Sequence, residues 1–265
     1  MLLRVLGSAG AEMPGYNPPA FLIDRAILLD AGTIGAALSA REQSAIRHIL
    51  ITHSHLDHIK GIPFLADNII ITNKGKSVIV YGIKETLASL RKNLLNGRIW
   101  PYFTKISASI EPAIKLRPVI PDRTFSIGDY TVKAYRVNDT VPAVGYIVRD
   151  VKGKTLLYTG DTGPTDKIWN TSNNLDAIII EVSFPNALAD LAEKTGHMTP
   201  ALLIAEIAKF KTLPGKIFIT HPRPQYTTQI RKELVRIGVK QIEMLQDGKS
   251  YRIWPGDPTT TYGMV

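Results

Sequence analysis

His53, His55, Asp57 and His58 fall within six residues of one another, so half of the chain's six histidines share one short segment with a carboxylate. Imidazole and carboxylate together suit zinc or another borderline first-row ion. The apolar run Ile49-Leu-Ile-Thr52 ahead of them reads as a strand, and side chains on a strand alternate in direction with period two. His53 and His55 therefore point to one side, while Asp57 and His58 lie beyond the point where the chain must turn. One segment can in this way serve two ions. Two such ions about 3.5–4 Å apart are an established device for hydrolysing phosphate esters.

More candidate groups stand at the ends of other apolar runs: Leu156–Thr159 leads to Asp161, Ile178–Ile180 to Glu181, and Ile217–Thr220 to His221. Strand ends of this kind gather chemistry at one edge of a rigid scaffold. His48 lies inside an apolar strand pattern and reads as structural.

The elements that must carry these groups alternate in type. Apolar, β-branched runs occur at Leu2–Leu6, Phe21–Ile23, Ile27–Leu29, His48–Thr52, Ser77–Tyr81 and Tyr130–Val137. Others follow at Tyr146–Val148, Thr155–Thr159, Ala177–Glu181, Lys216–Thr220, Gln241–Leu245 and Tyr251–Ile253, with Gly, Asn and Asp as turn formers between them. Ile83, Leu87, Leu90 and Leu94 repeat at helical spacing, Thr199-Pro200 reads as a helix cap and first turn, and Ile230, Leu234 and Ile237 precede a terminating Gly238. Strands followed by helices in both halves predict an α/β protein. The layered solution is two β-sheets packed face to face with helices outside, an αββα sandwich, although periodicity alone leaves other α/β arrangements open. No linker interrupts the 265 residues, which are taken as a single domain over 1–265.

Composition narrows the chemistry. There is no cysteine, so no disulfide framework exists and no thiolate can act as ligand or nucleophile. The formal charge of +9 and pI near 9.6 favour encounter with anionic partners, a small nucleotide first and nucleic acid second. The basic residues are scattered rather than clustered, which also fits a solvated surface. The apolar part of Met1–Gly10 is too short for a signal peptide, and no run of about 18 apolar residues exists, so the expectation is a cytoplasmic protein without a membrane partner. Composition leaves an oligomer open.

The segment His53-Ser-His55-Leu-Asp57-His58-Ile-Lys-Gly61 resembles the metal motif of the metallo-β-lactamase superfamily, in particular the class II cyclic-nucleotide phosphodiesterases. Asn96-Gly-Arg-Ile-Trp100-Pro101, Glu181-Val-Ser-Phe-Pro-Asn186, Gly196-His197-Met-Thr-Pro200 and Ile219-Thr-His221 resemble further segments of that family, in the family's order. The resemblance implies the αββα fold and two divalent ions, zinc in the first instance with manganese or iron as alternatives. It implies one ion site of Asp57, His58, Asp161 and His221, where Tyr158-Thr-Gly160-Asp161-Thr-Gly163 is similar to the bridging-Asp motif. The other site would take His53, His55, Asp161 and one more residue. There the chain departs from the pattern, because Asp139-Thr140-Val-Pro142-Ala-Val-Gly145-Tyr146 carries aspartate where the family has histidine. Asp139 gives a harder ligand set with one more negative charge, unless its shorter arm leaves it too far back; neighbouring Asn138 could instead offer an amide oxygen.

The implied reaction opens a 3′,5′-cyclic nucleotide to the 5′-monophosphate, with a metal-bridging hydroxide attacking phosphorus and His197 protonating the leaving oxygen. Glu181 would orient His197, and Asp57 counts among the catalytic groups as well as the ligands. Two other readings stand beside this one. One is an RNA-processing endonuclease of the same superfamily; the other is a nucleotide-binding protein whose catalysis is impaired by Asp139.

Overall fold

The computed structural model describes residues 1–72, 77–106, 111–166, 168–169 and 174–253; the end of the expected domain, 254–265, lies outside the described residues. Among the described residues the strands form two mixed sheets of seven. The first contains β1 (Leu2–Gly7), β2 (Ala20–Ile23), β3 (Ile27–Leu29), β4 (His48–Leu50), β5 (Val78–Gly82) and β6 (Ile114–Pro118), in that spatial order, with β14 (Ser250–Arg252) beside β1. The second runs β13 (Ile242–Met244), β12 (Lys216–Thr220), β11 (Ala177–Glu181), β10 (Thr155–Tyr158), β9 (Val144–Asp150), β8 (Tyr130–Arg136) and β7 (Thr124–Ile127).

Strand periodicity explains the layers. Leu29 and Leu50 of the first sheet meet Val132, Tyr146, Tyr158 and Ile179 of the second in one buried cluster. Ile49 and Ile51, on the opposite face, pack against Ile62, Leu65 and Ile69 of α3 (Gly61–Thr72). Likewise Ile179 faces the other sheet, whereas Ile178 and Ile180 pack on Leu203 of α6 (Pro200–Ile207) and Leu234 of α7 (Thr227–Ile237). The result is the αββα sandwich.

Strands β6 and β7 are absent from the sequence expectation. β6 reads Ile-Lys-Leu-Arg-Pro and β7 Thr-Phe-Ser-Ile; both end their sheets, so one side of each needs no apolar cover and the hydrophobic signal is diluted. The face predicted from Ile83 to Leu94 is realised as a short helix, Lys84–Ser89, running into a π-helical turn at Leu90–Leu94. Thr199 caps α6 by accepting from the Leu202 N–H, and Gly238 ends α7 in the left-handed conformation.

Parallel pairing fixes where the site falls. β3 and β4 run parallel, as do β10, β11 and β12, so their carboxyl ends open on the same edge of each sheet. There the Tyr146 hydroxyl donates to the Ile51 carbonyl at 2.8 Å and the Val144 N–H to Thr52 O at 3.1 Å, tying the two sheets together beside His53.

Candidate metal centre and active site

Asp161 is the hub of the cluster. Its Oδ2 lies 3.1 Å from His221 Nε2, 3.3 Å from His58 Nε2 and 3.9 Å from His53 Nε2. To one side, His53 Nε2 faces His55 Nδ1 at 2.9 Å and Asp139 Oδ2 at 3.6 Å. To the other, Asp57 Oδ2 stands 3.4 Å from His221 Nε2 and 3.8 Å from His58 Nε2. The donor atoms fall into four sets compact enough to share an ion: His53, His55 and Asp139; His53, His58 and Asp161; Asp57, His58 and His221; and Asp161, His197 and His221. All seven expected ligands are thus brought together. Asn138 is not among them, because its amide nitrogen donates to Pro164 O at 3.0 Å and it is exposed. His48 lies apart, against the Tyr81 hydroxyl at 3.2 Å.

The surrounding hydrogen bonds decide what the ring nitrogens can do. Thr52 Oγ1 donates to Asp30 Oδ2 and therefore accepts from His53 Nδ1–H, which leaves a lone pair on His53 Nε2. His58 Nδ1–H donates to Asp30 Oδ2 at 2.7 Å. His221 Nδ1–H donates to Ser183 Oγ at 2.8 Å, whose own hydrogen goes to Glu181 Oε2 at 2.7 Å. With the rings neutral, three imidazole lone pairs are aimed at the Asp161 carboxylate, an arrangement relieved by a cation between them or by a proton on His58. Buried His58 Nε2 and Asp139 Oδ2 have no hydrogen-bond partner, which fits the same requirement. Divalent metal ions suit this donor set of four imidazoles and three carboxylates.

Protonation follows the same logic. Burial, with the neighbouring His58, pushes His53 down and keeps its ring neutral, the form that ligates. Burial opposes charge on His58 too, but Asp161 and Asp30 outweigh it and raise that group. Asp161 is held well below the usual carboxylate range because His221 and His58 overcome the cost of burial. Asp139 is pushed up by burial and by the Asp161 charge, the strain that a shared cation relieves.

Backbone conformation places several of these groups. His221 adopts φ 63°, a left-handed conformation costing about 1–3 kcal/mol in a residue other than glycine. It is held by its N–H to Ser8 O at 2.6 Å and by packing on Gly10, where a Cβ would come within 2.7 Å of His221 Nδ1. Gly160, at φ 62°, sits against the Thr52 side chain and turns the chain into Asp161.

Asp30 and Ser183 are functional residues that the sequence reading missed. Asp30 is fully buried and accepts from Thr52 N–H and Oγ1, His58 Nδ1 and Tyr158 Oη, all within 2.9 Å. Its signal was available, since Asp30 directly follows the apolar strand β3, as His53, Asp161 and His221 follow theirs. Ser183 lies two residues beyond Glu181.

His197 and Glu181 form the second functional unit. His197 Nδ1 lies 2.7 Å from Glu181 Oε1, and the Glu181 carboxylate also accepts from the Thr162 and Met198 N–H groups. The imidazole stacks on His221 with ring centroids 5.3 Å apart. His197, His221, Asp161, Asp57 and His55 line a cavity of about 540 Å³ whose wall also carries Arg223.

Comparison with known proteins places this geometry. The family model described as a β-lactamase superfamily domain matches residues 25–221. The chain belongs to the metallo-β-lactamase superfamily. A probable 3′,5′-cyclic-nucleotide phosphodiesterase of Yersinia pestis is 27% identical over 209 residues, covering 69% of this chain and 59% of the relative, so the chain spans about three fifths of that protein. A ribonuclease Z of Thermoplasma acidophilum is 22% identical over 228 residues, 69% of this chain and 71% of the relative. The crystal structure of unliganded yeast PDE1 superimposes with a TM-score of 0.78 at 18% identity, over 94% of this chain and 98% of that one, which confirms the fold. Among the chain's described residues no helix is long and apolar enough to cross a membrane.

Within this superfamily frame Asp139 is the residue to test. Asp139→Ala should empty or weaken the site shared with His53 and His55, while Asp57, His58, Asp161 and His221 keep the other ion. Elemental analysis is then expected to fall from about two ions per chain to about one. Asp139→His should raise zinc retention over manganese, because imidazole is the softer donor. Unchanged two-ion content in Asp139→Ala would remove Asp139 from the ligand set.

Proposed function

We propose that the protein hydrolyses a phosphodiester, with a 3′,5′-cyclic nucleotide opened to the 5′-monophosphate as its reaction. The observation that carries this reading is the His197–Glu181 pair, set in the cavity wall beside Asp161 and His221. The similarity to a probable cyclic-nucleotide phosphodiesterase and the size of the cavity support the nucleotide.

His53, His55, Asp139 and Asp161 would hold one ion, and Asp57, His58, Asp161 and His221 the other; zinc is the reading for both. When bound there, the ions would supply an activated water near neutral pH and would neutralise charge on the phosphoryl oxygens. The water's oxygen bonds to phosphorus and the bond to the 3′-oxygen breaks. That leaving oxygen needs a proton, since an alkoxide leaves poorly, and His197 Nε2 delivers it. Glu181 Oε1 holds Nδ1–H, fixes the ring and stabilises its protonated form, while the Thr162 and Met198 N–H groups hold Glu181 still. Asp57, with His58 and His221 around it, keeps its charge: despite burial, the His221 hydrogen bond and the neighbouring imidazoles hold it far below the carboxylate range.

Burial lowers the proton affinity of His197, but the Glu181 charge and hydrogen bond prevail and raise it to about 9. The acid form is therefore present below that value and lost above it. Turnover is expected to fall as pH rises through about 9, and in Glu181→Gln that limb should move down towards the ordinary histidine value of about 6.5. A pH profile of kcat measures both, and a limb that stays in place in Glu181→Gln would exclude this coupling.

The functional reading itself is tested by product identification on a panel of 3′,5′-cyclic nucleotides and a transfer-RNA precursor with a 3′ trailer. Release of 5′-monophosphates is the expected result. Cleavage of the RNA alone would favour a nuclease, and tight nucleotide binding without turnover a binding protein.

A further inference from the structure

Arg223 has no task in the chemistry above, yet it lines the same cavity as His197 and His221. Its backbone is fixed on both sides. Pro222 and Pro224 flank it, it holds φ −63° and ψ 128° as a residue before proline prefers, and its N–H donates to Ser183 O at 3.1 Å. The guanidinium carbon lies 5.8 Å from the Phe184 ring centroid, and Phe184 is in turn edge-on to His197 at 5.8 Å. The side chain is thus aimed by a stiff backbone and a ring beneath it.

What it lacks is a partner. Nε is buried and unbonded, and among the described residues no carboxylate pairs with the guanidinium. Lys60 and Lys194 also line this wall, and Lys60 is paired with Glu12 at 2.5 Å. Arg223 is half-buried, with Nε out of water and no carboxylate beside it, so an anion in the cavity would complete it. A phosphoryl group is the anion whose geometry matches a guanidinium fork.

We propose that Arg223 is a substrate-binding residue that takes a non-bridging phosphoryl oxygen of the substrate and of its monophosphate product. This rests on the reading of the cavity as a phosphodiester site. The guanidinium would hold the phosphate from the His197 side, so that the leaving oxygen is kept towards the acid. Ions held by His53, His55, Asp57, His58, Asp139, Asp161 and His221 would face it from the other side.

Calorimetric binding of adenosine 5′-monophosphate, inorganic phosphate and adenosine to the metal-loaded protein tests this apart from turnover. Arg223→Gln is expected to weaken the monophosphate and inorganic phosphate by about ten- to a hundredfold, the scale of a charged hydrogen bond, and to leave adenosine unchanged. Arg223→Lys should recover part of the loss, because it keeps the charge but not the fork. Unchanged phosphate affinity in Arg223→Gln would overturn the proposal. An equal loss for adenosine would overturn it too, since that pattern belongs to a base stacked on the guanidinium. Failure of the phosphodiesterase reading would show differently, as absent cyclic-nucleotide turnover in a wild type whose phosphate binding still depends on Arg223.

Discussion

Replacing His197 with alanine is expected to lower cyclic-nucleotide turnover by about 10²–10⁴-fold, the usual contribution of a positioned general acid. Metal content should not change, because the two proposed ion sites draw on His53, His55, Asp57, His58, Asp139, Asp161 and His221; loss of an ion would instead make His197 a ligand beside Asp161 and His221. The size of the loss must depend on the leaving group. A 3′-alkoxide needs its proton, whereas p-nitrophenolate, with its low proton affinity, leaves without one. Bis(p-nitrophenyl) phosphate should therefore suffer far less from His197→Ala than a cyclic nucleotide does. Equal losses on the two substrates would mean that His197 positions the substrate or the centre rather than protonating it. The 5.3 Å stacking of His197 on His221 makes that control necessary.

The second large effect is expected at Asp161. One carboxylate oxygen faces the Nε2 atoms of His221, His58 and His53 within 3.9 Å, so its removal acts on both ion sites together. Asp161→Ala should leave three imidazole lone pairs converging on a neutral methyl group. Loss of both ions and of nearly all hydrolysis is the expected outcome, in contrast with Asp139→Ala, which touches one site. Removing a charge that sits between buried histidines also alters folding, so the variant's thermal transition belongs with its metal analysis. Retention of both ions in a folded Asp161→Ala protein would show that Asp161 does not bridge.

Much of this centre was legible before any coordinates. His53, His55, Asp57 and His58 announce themselves by type and spacing, and the rule that apolar strands end on functional groups found Asp161, Glu181 and His221. The αββα layering was legible for the same reason: buried strands such as Ile178-Ile-Ile and Ile217-Phe-Ile are apolar on both faces, as strands covered on both sides must be. Sheet-ending strands gave less signal, which is why Ile114–Pro118 and Thr124–Ile127 were missed. Asp30 escaped for a different reason. It touches no substrate and owes its role to hydrogen bonds with Thr52, His58 and Tyr158, partners that lie up to 128 residues away and meet only when the sheets pack. Asp139 was ambiguous in sequence because reach cannot be read from residue type. The fold carries Asp139 Oδ2 to 3.6 Å from His53 Nε2, within reach of a shared ion, and the metal content of Asp139→Ala decides whether it ligates.

The central claim is that this cluster holds two divalent ions and that hydrolysis depends on them. Metal content by elemental analysis, measured on the same sample as hydrolysis of bis(p-nitrophenyl) phosphate before and after chelation, tests it most directly. About two ions per chain, activity lost with the ions and restored by adding back zinc or manganese, is the result predicted. Full hydrolysis by protein shown to contain no metal would contradict the account.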